Sequence, residues 1–393
     1  MDSKQFLKNI AINGTPAEKR ESFQFNSEDS NKKLLTKFKL FSRSCYPRYF
    51  TSPAAPYHDD MVLDYIDSYR GVANVLEAAH RDAAKTALIK LFLAFVILND
   101  KDHSRKYIKV LSKELQNSKQ IVTDVYNMMV EVIHIYDDPF IDEGKKKREE
   151  TQGSFTTVHQ VKVRSGTVGQ DQRGALQDAY RPDWQIFEDI EDSTSVSSQV
   201  KTEGIRLRIQ EAIDGRAQGS KYAINCNYIS EDANIQWLME KQSVRTRVMP
   251  IAKDIQLGRD NEGKQSLTHG TALWPRFSLE DLQERFSDSL DWYGEFMCDP
   301  SRSVNKFFDI ELIDFQLKNI AREPDRRGGN ISYWSDYVSD QWYGLGSDHS
   351  MGIGEDANAA VLFNFKSGET VATHADNLMS PDLAAHEHAR LGG

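Results

Sequence analysis

Phosphate chemistry needs a lysine, a hydroxyl and carboxylates that can hold a metal and a water, and this sequence carries all of them. Residues 79 to 86 read Ala79-His80-Arg81-Asp82-Ala83-Ala84-Lys85-Thr86, between an apolar run ending at Ala79 and a helical run beginning at Lys85. A loop in that place turns backbone amides and a helix N-terminus toward bound phosphate. Lys85 then reaches the terminal phosphates and the Thr86 hydroxyl holds Mg2+. Alanines stand where the general pattern has glycines, so the octapeptide alone also fits a plain helix start with a surface lysine. Much further along, Trp184-Gln185-Ile186-Phe187 runs into Glu188-Asp189-Ile190-Glu191-Asp192. Acids at the carboxyl end of a strand, beside a phosphate loop, can hold Mg2+ and orient an attacking water; the alternative is a solvated acidic turn. Together, in a chain of alternating strands and helices, loop and acids favour a nucleotidase.

The elements that must position these residues follow from periodicity. Apolar runs at Val72 to Ala79 and Tyr107 to Ser112 predict strands, each followed by a helical stretch, Lys85 to Leu98 and Ser118 to Ile135. The alternating run Phe155 to Val163 predicts a half-exposed strand, and Trp184 to Phe187, Tyr222 to Tyr228 and Val244 to Ile251 predict three more. Strands interleaved with helices give an α/β fold with a mainly parallel sheet. Gly258 to Gly270 reads as a loop. Leu273 to Met297 reads as helical, with Ser278 as N-cap and Glu280 and Asp281 in the first turn. Glu323 to Ser332 reads as a linker, and Tyr343 to Ser347, Ala359 to Phe365 and Thr370 to Ala375 as strands. The last two are joined by a turn at Lys366-Ser367-Gly368, and a helix starts at Pro381. Residues 1 to 50, polar with an aromatic end, read as an arm or lid.

The bulk properties bound the reading. At 393 residues, with 39% hydrophobic and 27% charged, the chain has the composition of a globular protein of about two domains. A net charge of −10 argues against a protein that coats DNA, since nonspecific duplex binding rests on clustered Lys and Arg, but not against a motor with a local basic patch. Cys45, Cys226 and Cys298 stand far apart and suit a reducing, cytoplasmic setting. Met1 to Asn13 lack the features of a secretory signal, and Ala83 to Leu98, broken by Lys85 and Lys90, falls short of the roughly 20 apolar residues a membrane span needs.

Several segments, in order, resemble the large terminase subunits of tailed bacteriophages. They are Pro53-Ala54-Ala55-Pro56-Tyr57-His58, the loop from Glu77 to Thr86, Gly166-Thr167-Val168-Gly169-Gln170 to Arg173-Gly174 with Arg181-Pro182-Asp183 and the acids, and Leu273-Trp274-Pro275-Arg276-Phe277-Ser278. The resemblance spans about residues 40 to 393. It implies a P-loop ATPase domain over 51–305, a linker over 306–340 and the start of an RNase H-like nuclease domain over 341–393, incomplete here. It implies that residues 79–86 bind ATP, that Thr86 and Glu188 hold Mg2+, that Arg81 neutralises the γ-phosphate and that Asp189 activates water. Glu188 and Asp189 stand in swapped order relative to the family, Asp82 replaces a glycine of the cradle, and Asn225-Cys226-Asn227 falls where the family couples hydrolysis to motion, without its usual Gly-Thr. Asp348 would be the first carboxylate of a nuclease site using two Mg2+ or Mn2+ ions; its other ligands are not found before Gly393, so no DNA cleavage is expected of this chain. The implied setting is the host cytoplasm, with subunits in a ring on the portal protein of a procapsid, acting on double-stranded DNA chosen by a small terminase subunit, with no membrane. A terminase-like remnant that binds DNA or portal without catalysis is the rival expectation. A nuclease or transposase of RNase H fold without an ATPase would need a complete acidic triad after Asp348, which the sequence does not contain.

Other tempting residues have plainer readings. His386-Glu387-His388 are too close in sequence for both rings to share a helix face. His58-Asp59-Asp60 suit the cap of a helix. Trp334, Tyr337, Trp342 and Tyr343 suit packing more than base stacking, and Lys145 to Arg148 suit a solvated loop more than a DNA contact.

Overall fold

The computed structural model describes residues 10, 13–141, 151–170, 181–196, 198–259, 265–302, 322–350 and 356–392. Lys145 to Arg148, Arg173-Gly174 and Gly354-Glu355 lie outside the described residues. The chain divides into two compact units, Met1–Phe307 and Phe308–Gly393.

The first unit is built on a seven-stranded sheet: β1 (Asn74–Ala79), β2 (Tyr107–Ser112), β3 (Ser154–Thr156), β4 (Lys162–Thr167), β5 (Trp184–Glu188), β6 (Lys221–Cys226) and β7 (Val244–Met249), in the order β3-β4-β2-β5-β6-β1-β7. All neighbours are parallel except the edge strand β3. Strands β1, β2 and β5 are buried along their whole length, as parallel strands with both faces covered must be. Val75, Ile108, Val110, Trp184 and Ile186 belong to the core on one face, and Leu76, Leu111, Phe187 and Ile224 to the core on the other.

Helix α4 (Lys85–Asn99) is apolar almost all round because it is enclosed on every side. Part of that enclosure comes from α1 (Pro16–Phe23) and α2 (Asn31–Cys45), in the segment read from the sequence as an arm or lid. Leu34, Phe38, Phe41 and Cys45 recur at helical spacing, and Phe38 and Phe41 meet Phe95 of α4 with ring centroids 5.7 and 5.5 Å apart. Described residues of this segment therefore belong to the core. Helix α3 (Pro56–Tyr69) follows and hands the chain to β1 through Arg70 and Gly71, the latter at φ +80° where a glycine carries no steric penalty. Helices α5 (Leu115–Glu131), α6 (Ser193–Val196), α7 (Gln199–Asp214) and α8 (Asn234–Met239) complete the crossovers.

Three segments differ from the sequence expectation. Phe155 to Val163 is two strands, not one, because the chain reverses at Gln160 (φ +63°) and β3 pairs antiparallel with β4. The described residues of Gly258 to Gly270 are strand, not loop: β8 (Ala252–Arg259) and β9 (Gln265–Ala272) form an antiparallel ribbon. Its strands are largely exposed, so no apolar alternation marks them. Leu273 to Met297 holds two helices, α9 (Leu279–Asp288) and α10 (Trp292–Glu295); Ser278 caps α9, its hydroxyl accepting from the Asp281 amide.

The second unit is a five-stranded antiparallel sheet in the order β10-β11-β14-β13-β12, formed by β10 (Arg326–Gly328), β11 (Ile331–Tyr333), β12 (Tyr343–Asp348), β13 (Asn358–Asn364) and β14 (Thr370–Asp376). Part of the expected linker thus forms the β10–β11 hairpin. The β13–β14 turn follows the sequence reading, with Gly368 at φ +74° and its amide donating to Asn364 O at 2.8 Å. Helix α11 (Pro381–Gly392) closes a small core of Ile331, Leu362, Val371 and Ala372.

Candidate functional site

The loop expected to bind phosphate leaves the carboxyl end of β1 and enters α4, with Asp82 (φ +66°) and Ala84 (φ +64°) both in the left-handed region. Ala84 is the N-cap of α4, and no side chain caps that end, so the first-turn amides face an open loop. Of the two alanines at glycine positions, Ala79 lies in β1, where no glycine is needed, whereas Ala84 carries the steric cost of its backbone. Ala84→Gly is therefore expected to stabilise the protein by about 1 kcal/mol, read as a rise in the urea midpoint at unchanged slope; an unchanged or lowered midpoint would show that the loop bears no strain there.

Lys85 is buried, and its ammonium donates to the carbonyls of Ala79 (2.8 Å) and His80 (3.2 Å) and to Asn227 Oδ1 (2.5 Å). Thr86 donates its hydroxyl to Glu188 Oε1, and Asn225 Nδ2 donates to Glu188 Oε2 at 2.8 Å. Tyr65 fixes Asn225 in turn by donating to its Oδ1 at 2.7 Å. Burial pushes the Glu188 carboxyl up to about 7, helped by the charge of Asp189 and opposed by Thr86, Asn225 and Lys85. Asp189 is exposed, and its left-handed backbone (φ +46°) is held by its own N–H to Asn225 O (3.0 Å) and by Lys113 N–H to its carbonyl (3.2 Å). Two adjacent acids thus sit in opposite environments, one sealed against Thr86 and one open to the cleft.

The segments flanking the loop explain its shape. His58 Nδ1 accepts from the Ala55 amide at 3.0 Å, so its Nε2 carries the proton and donates to Ala83 O at 3.0 Å. His58 lies at the third position of α3, inside the helix and not ahead of it as a cap as the sequence reading has it; from there it accepts from the N-cap amide of Ala55 and pins the loop at Ala83. Trp274 packs edge-on against His58, with centroids 4.6 Å apart, and donates its indole N–H to Pro53 O at 2.6 Å. Pro53 to His58, Glu77 to Thr86 and Leu273 to Ser278, distant in sequence, meet here.

His80, fully buried, donates from Nδ1 to Arg81 O (2.6 Å) and accepts the Tyr57 hydroxyl at Nε2 (3.1 Å). Burial pushes its pKa down to about 4, against the bond to Arg81 and aided by the Lys85 charge. A neutral His80 in the fold and an ordinary one in the unfolded chain make stability fall as pH drops from 6.5 toward about 4. The loss is expected to reach on the order of 3 kcal/mol, seen as a lower urea midpoint at pH 4.5 than at pH 7 beyond that of the His80→Asn variant. Equal pH dependence in the two proteins would remove His80 as the cause.

A cleft of about 640 Å³ contains the loop residues 81–86 with Lys113, Glu114, Asn117, Asp189, Glu191, Asp192, Asn227 and Glu295. Of the sequence-derived candidates, Arg81, Asp82, Ala83, Ala84, Lys85, Thr86 and Asp189 line it, and Glu188 reaches its edge through Thr86. Ala79 and His80 sit beneath, offering carbonyls to Lys85. Arg81 is exposed; its amide donates to Glu295 O (2.9 Å) and its guanidinium lies 4.0 Å from the Glu295 carboxylate. The Asp82 carboxylate accepts from Arg285 Nη2 at 2.9 Å. Sequence reasoning gave no site role to Lys113, Arg285 or Glu295, and it counted Asp192 only as one of the acidic cluster. Asn225 and Asn227 were noted only by position, though both touch the central side chains. Their signal is topological: β6 lies between β5 and β1, so its carboxyl end must border both Glu188 and Lys85.

The donors fit a magnesium nucleotide: an ammonium and open amides for phosphate, and a hydroxyl and a buried carboxylate, both hard oxygen donors, facing each other. Asp348 ends β12 in the second unit, exposed. His388 is buried, with Nε2 3.0 Å from His374 Nδ1, and His386 is exposed, so the two rings of the His-Glu-His triplet point apart. Among the described residues no three His, Cys, Asp or Glu side chains group as metal ligands, and no helix is long and apolar enough to cross a membrane. Trp334 donates its indole N–H to Arg322 O (2.9 Å) and Tyr343 packs on Tyr337 (5.0 Å), while Trp342 is exposed.

No protein-family model matches the chain, and no curated protein matches it. Among solved structures it is similar to the crystal structure of the HK97 bacteriophage large terminase, with a TM-score of 0.40 and 10% identity over 82% of this chain. It spans 63% of that protein's length. It is also similar to a mutant ATPase domain of the Thermus phage P74-26 large terminase, with a TM-score of 0.34 and 10% identity over 57% of this chain and 88% of that one. A third similar structure is the Phi-28 gp11 DNA packaging motor, with a TM-score of 0.31 and 9% identity over 74% of this chain and 75% of that one.

Proposed function

We propose that the first unit binds and hydrolyses ATP with Mg2+, as the motor of a large terminase that packages viral DNA. The observation that carries this reading is the convergence of the Lys85 ammonium, the Thr86 hydroxyl, the sealed Glu188 carboxylate and the open Asp189 carboxylate in one cleft at the carboxyl edge of a parallel sheet. The triphosphate lies on the loop amides with Lys85 turning from its carbonyls to the terminal phosphates, and exposed Arg81 offsets the charge that gathers on the γ-phosphoryl group. Thr86 and Glu188 would hold Mg2+, which would neutralise phosphate charge. Asp189 accepts a hydrogen bond from the attacking water, orients it in line with the leaving diphosphate and takes its proton. Asn225 and Asn227 register the state of Glu188 and Lys85 at the end of one strand, a place from which hydrolysis can move other elements.

The second unit supports a finer proposal: its antiparallel β12–β14 meander followed by α11 suits the opening of an RNase H-like nuclease, with Asp348 as one ligand of a divalent metal. Double-stranded DNA, a portal protein, a small terminase subunit and a ring of like subunits in the host cytoplasm are the partners and setting this reading names, from the motif resemblance. A second reading, a DNA- or portal-binding remnant without catalysis, draws on Ala84 and Asp82 in the loop. The test is Mg2+-dependent phosphate release from ATP by the purified chain, with and without duplex DNA. Hydrolysis supports the motor; a folded chain that neither binds nor hydrolyses ATP leaves the remnant.

A further inference from the structure

Asp82 puts a negative charge into a loop whose proposed ligand is a polyanion, in a left-handed conformation that asparagine, aspartate and glycine adopt most easily. Its carboxylate is not left to face that ligand alone. Arg285, from the last turn of α9, donates Nη2 to Asp82 Oδ2 at 2.9 Å. The guanidinium is set for that contact by two rings, lying 4.9 Å from the Phe277 centroid and 5.5 Å from that of Phe296. Arg285 is the less exposed partner, at 27% against 50% for Asp82, as expected of a seated cation meeting a carboxylate that comes to it. An exposed pair of this kind adds little to stability, so its consequence lies in the electrostatics of the loop.

We infer that Arg285 is a positioning residue for nucleotide binding: it neutralises Asp82 and draws its carboxylate toward α9, so that a phosphate loop with an acid at a glycine-favoured position still accepts a triphosphate. The inference rests on the nucleotide reading of the cleft. It makes Arg285 necessary only while residue 82 is charged, and it makes α9, whose Gln283 also donates to Leu267 O of the β8–β9 ribbon at 2.9 Å, part of the loop's electrostatic environment.

The test is a double-mutant cycle on the full chain, read as the Kd of a fluorescent ATP analogue with Mg2+. Arg285→Gln is expected to weaken binding about tenfold, with the loss shrinking at high salt. Asp82→Asn, which keeps the backbone preference and removes the charge, binds at least as tightly as the native chain, and Asp82→Asn with Arg285→Gln recovers native affinity or better. An Arg285→Gln that failed to fold would give no such recovery, so the double variant separates electrostatics from structure. An equal loss from Arg285→Gln with Asp or Asn at position 82 overturns the inference and leaves the nucleotide reading standing. A native chain that binds no analogue overturns the nucleotide reading and the inference with it.

Discussion

Replacing Asp189 with asparagine is expected to slow MgATP hydrolysis by about 100- to 10,000-fold while leaving the Kd for a nucleotide analogue within about threefold. The separation follows from where the structure puts the two adjacent acids. Asp189 is exposed in the cleft, and its backbone is fixed by strand ends on both sides, through Asn225 O and the Lys113 amide. Asparagine tolerates the same left-handed conformation, so the variant keeps the loop and loses only the base. Glu188 is sealed against Thr86 and Asn225 and has no room to replace it. Phosphate release and analogue titration on the same preparation decide the matter: unchanged turnover would remove Asp189 from the reaction, and a parallel collapse of affinity would recast it as a binding residue.

Lys85→Ala acts one step earlier, on binding itself. The ammonium is buried at the edge of the cleft and held by two carbonyls and one amide oxygen, from which it would turn to reach phosphate. A charge-assisted contact to phosphate is worth about 1.5–3 kcal/mol, so losing it should raise the Kd for nucleotide by roughly 10- to 100-fold or more and make hydrolysis undetectable at ordinary concentrations. A retained Kd would leave Lys85 a buried structural lysine at the start of α4.

How much of this was legible in the sequence depended on whether the signal was local. Strand β2 fell where its apolar run predicts, and β1, β5 and α4 within two residues, because fully buried elements leave continuous apolar runs between polar turns. The β8–β9 ribbon was invisible because its strands bury little and so do not alternate. The segment before residue 50 was misread for the opposite reason: its apolar positions, Leu34, Phe38 and Phe41, sit among so many Lys and Ser that composition hid a helix stripe. At the site, Lys85, Thr86, Glu188 and Asp189 belong to short linear patterns. Asn225, Asn227, His58 and Arg285 owe their places to strand order and to contacts between distant segments, which no window of sequence contains.

That last dependence has a kinetic consequence. The bond from Lys85 to Asn227 closes 142 residues of chain, that from Arg285 to Asp82 closes 203, and the Trp274 indole that backs His58 reaches Pro53 across 221. Contacts this remote form slowly, since each waits on the closure of a long loop. On the ribosome, residues 79–86 emerge early yet line an unfinished pocket until α9 and α10 follow them out. A nascent chain would therefore carry Lys85 and Thr86 long before it had the cleft around them, and the cleft would be completed only when the last of these distant segments arrives.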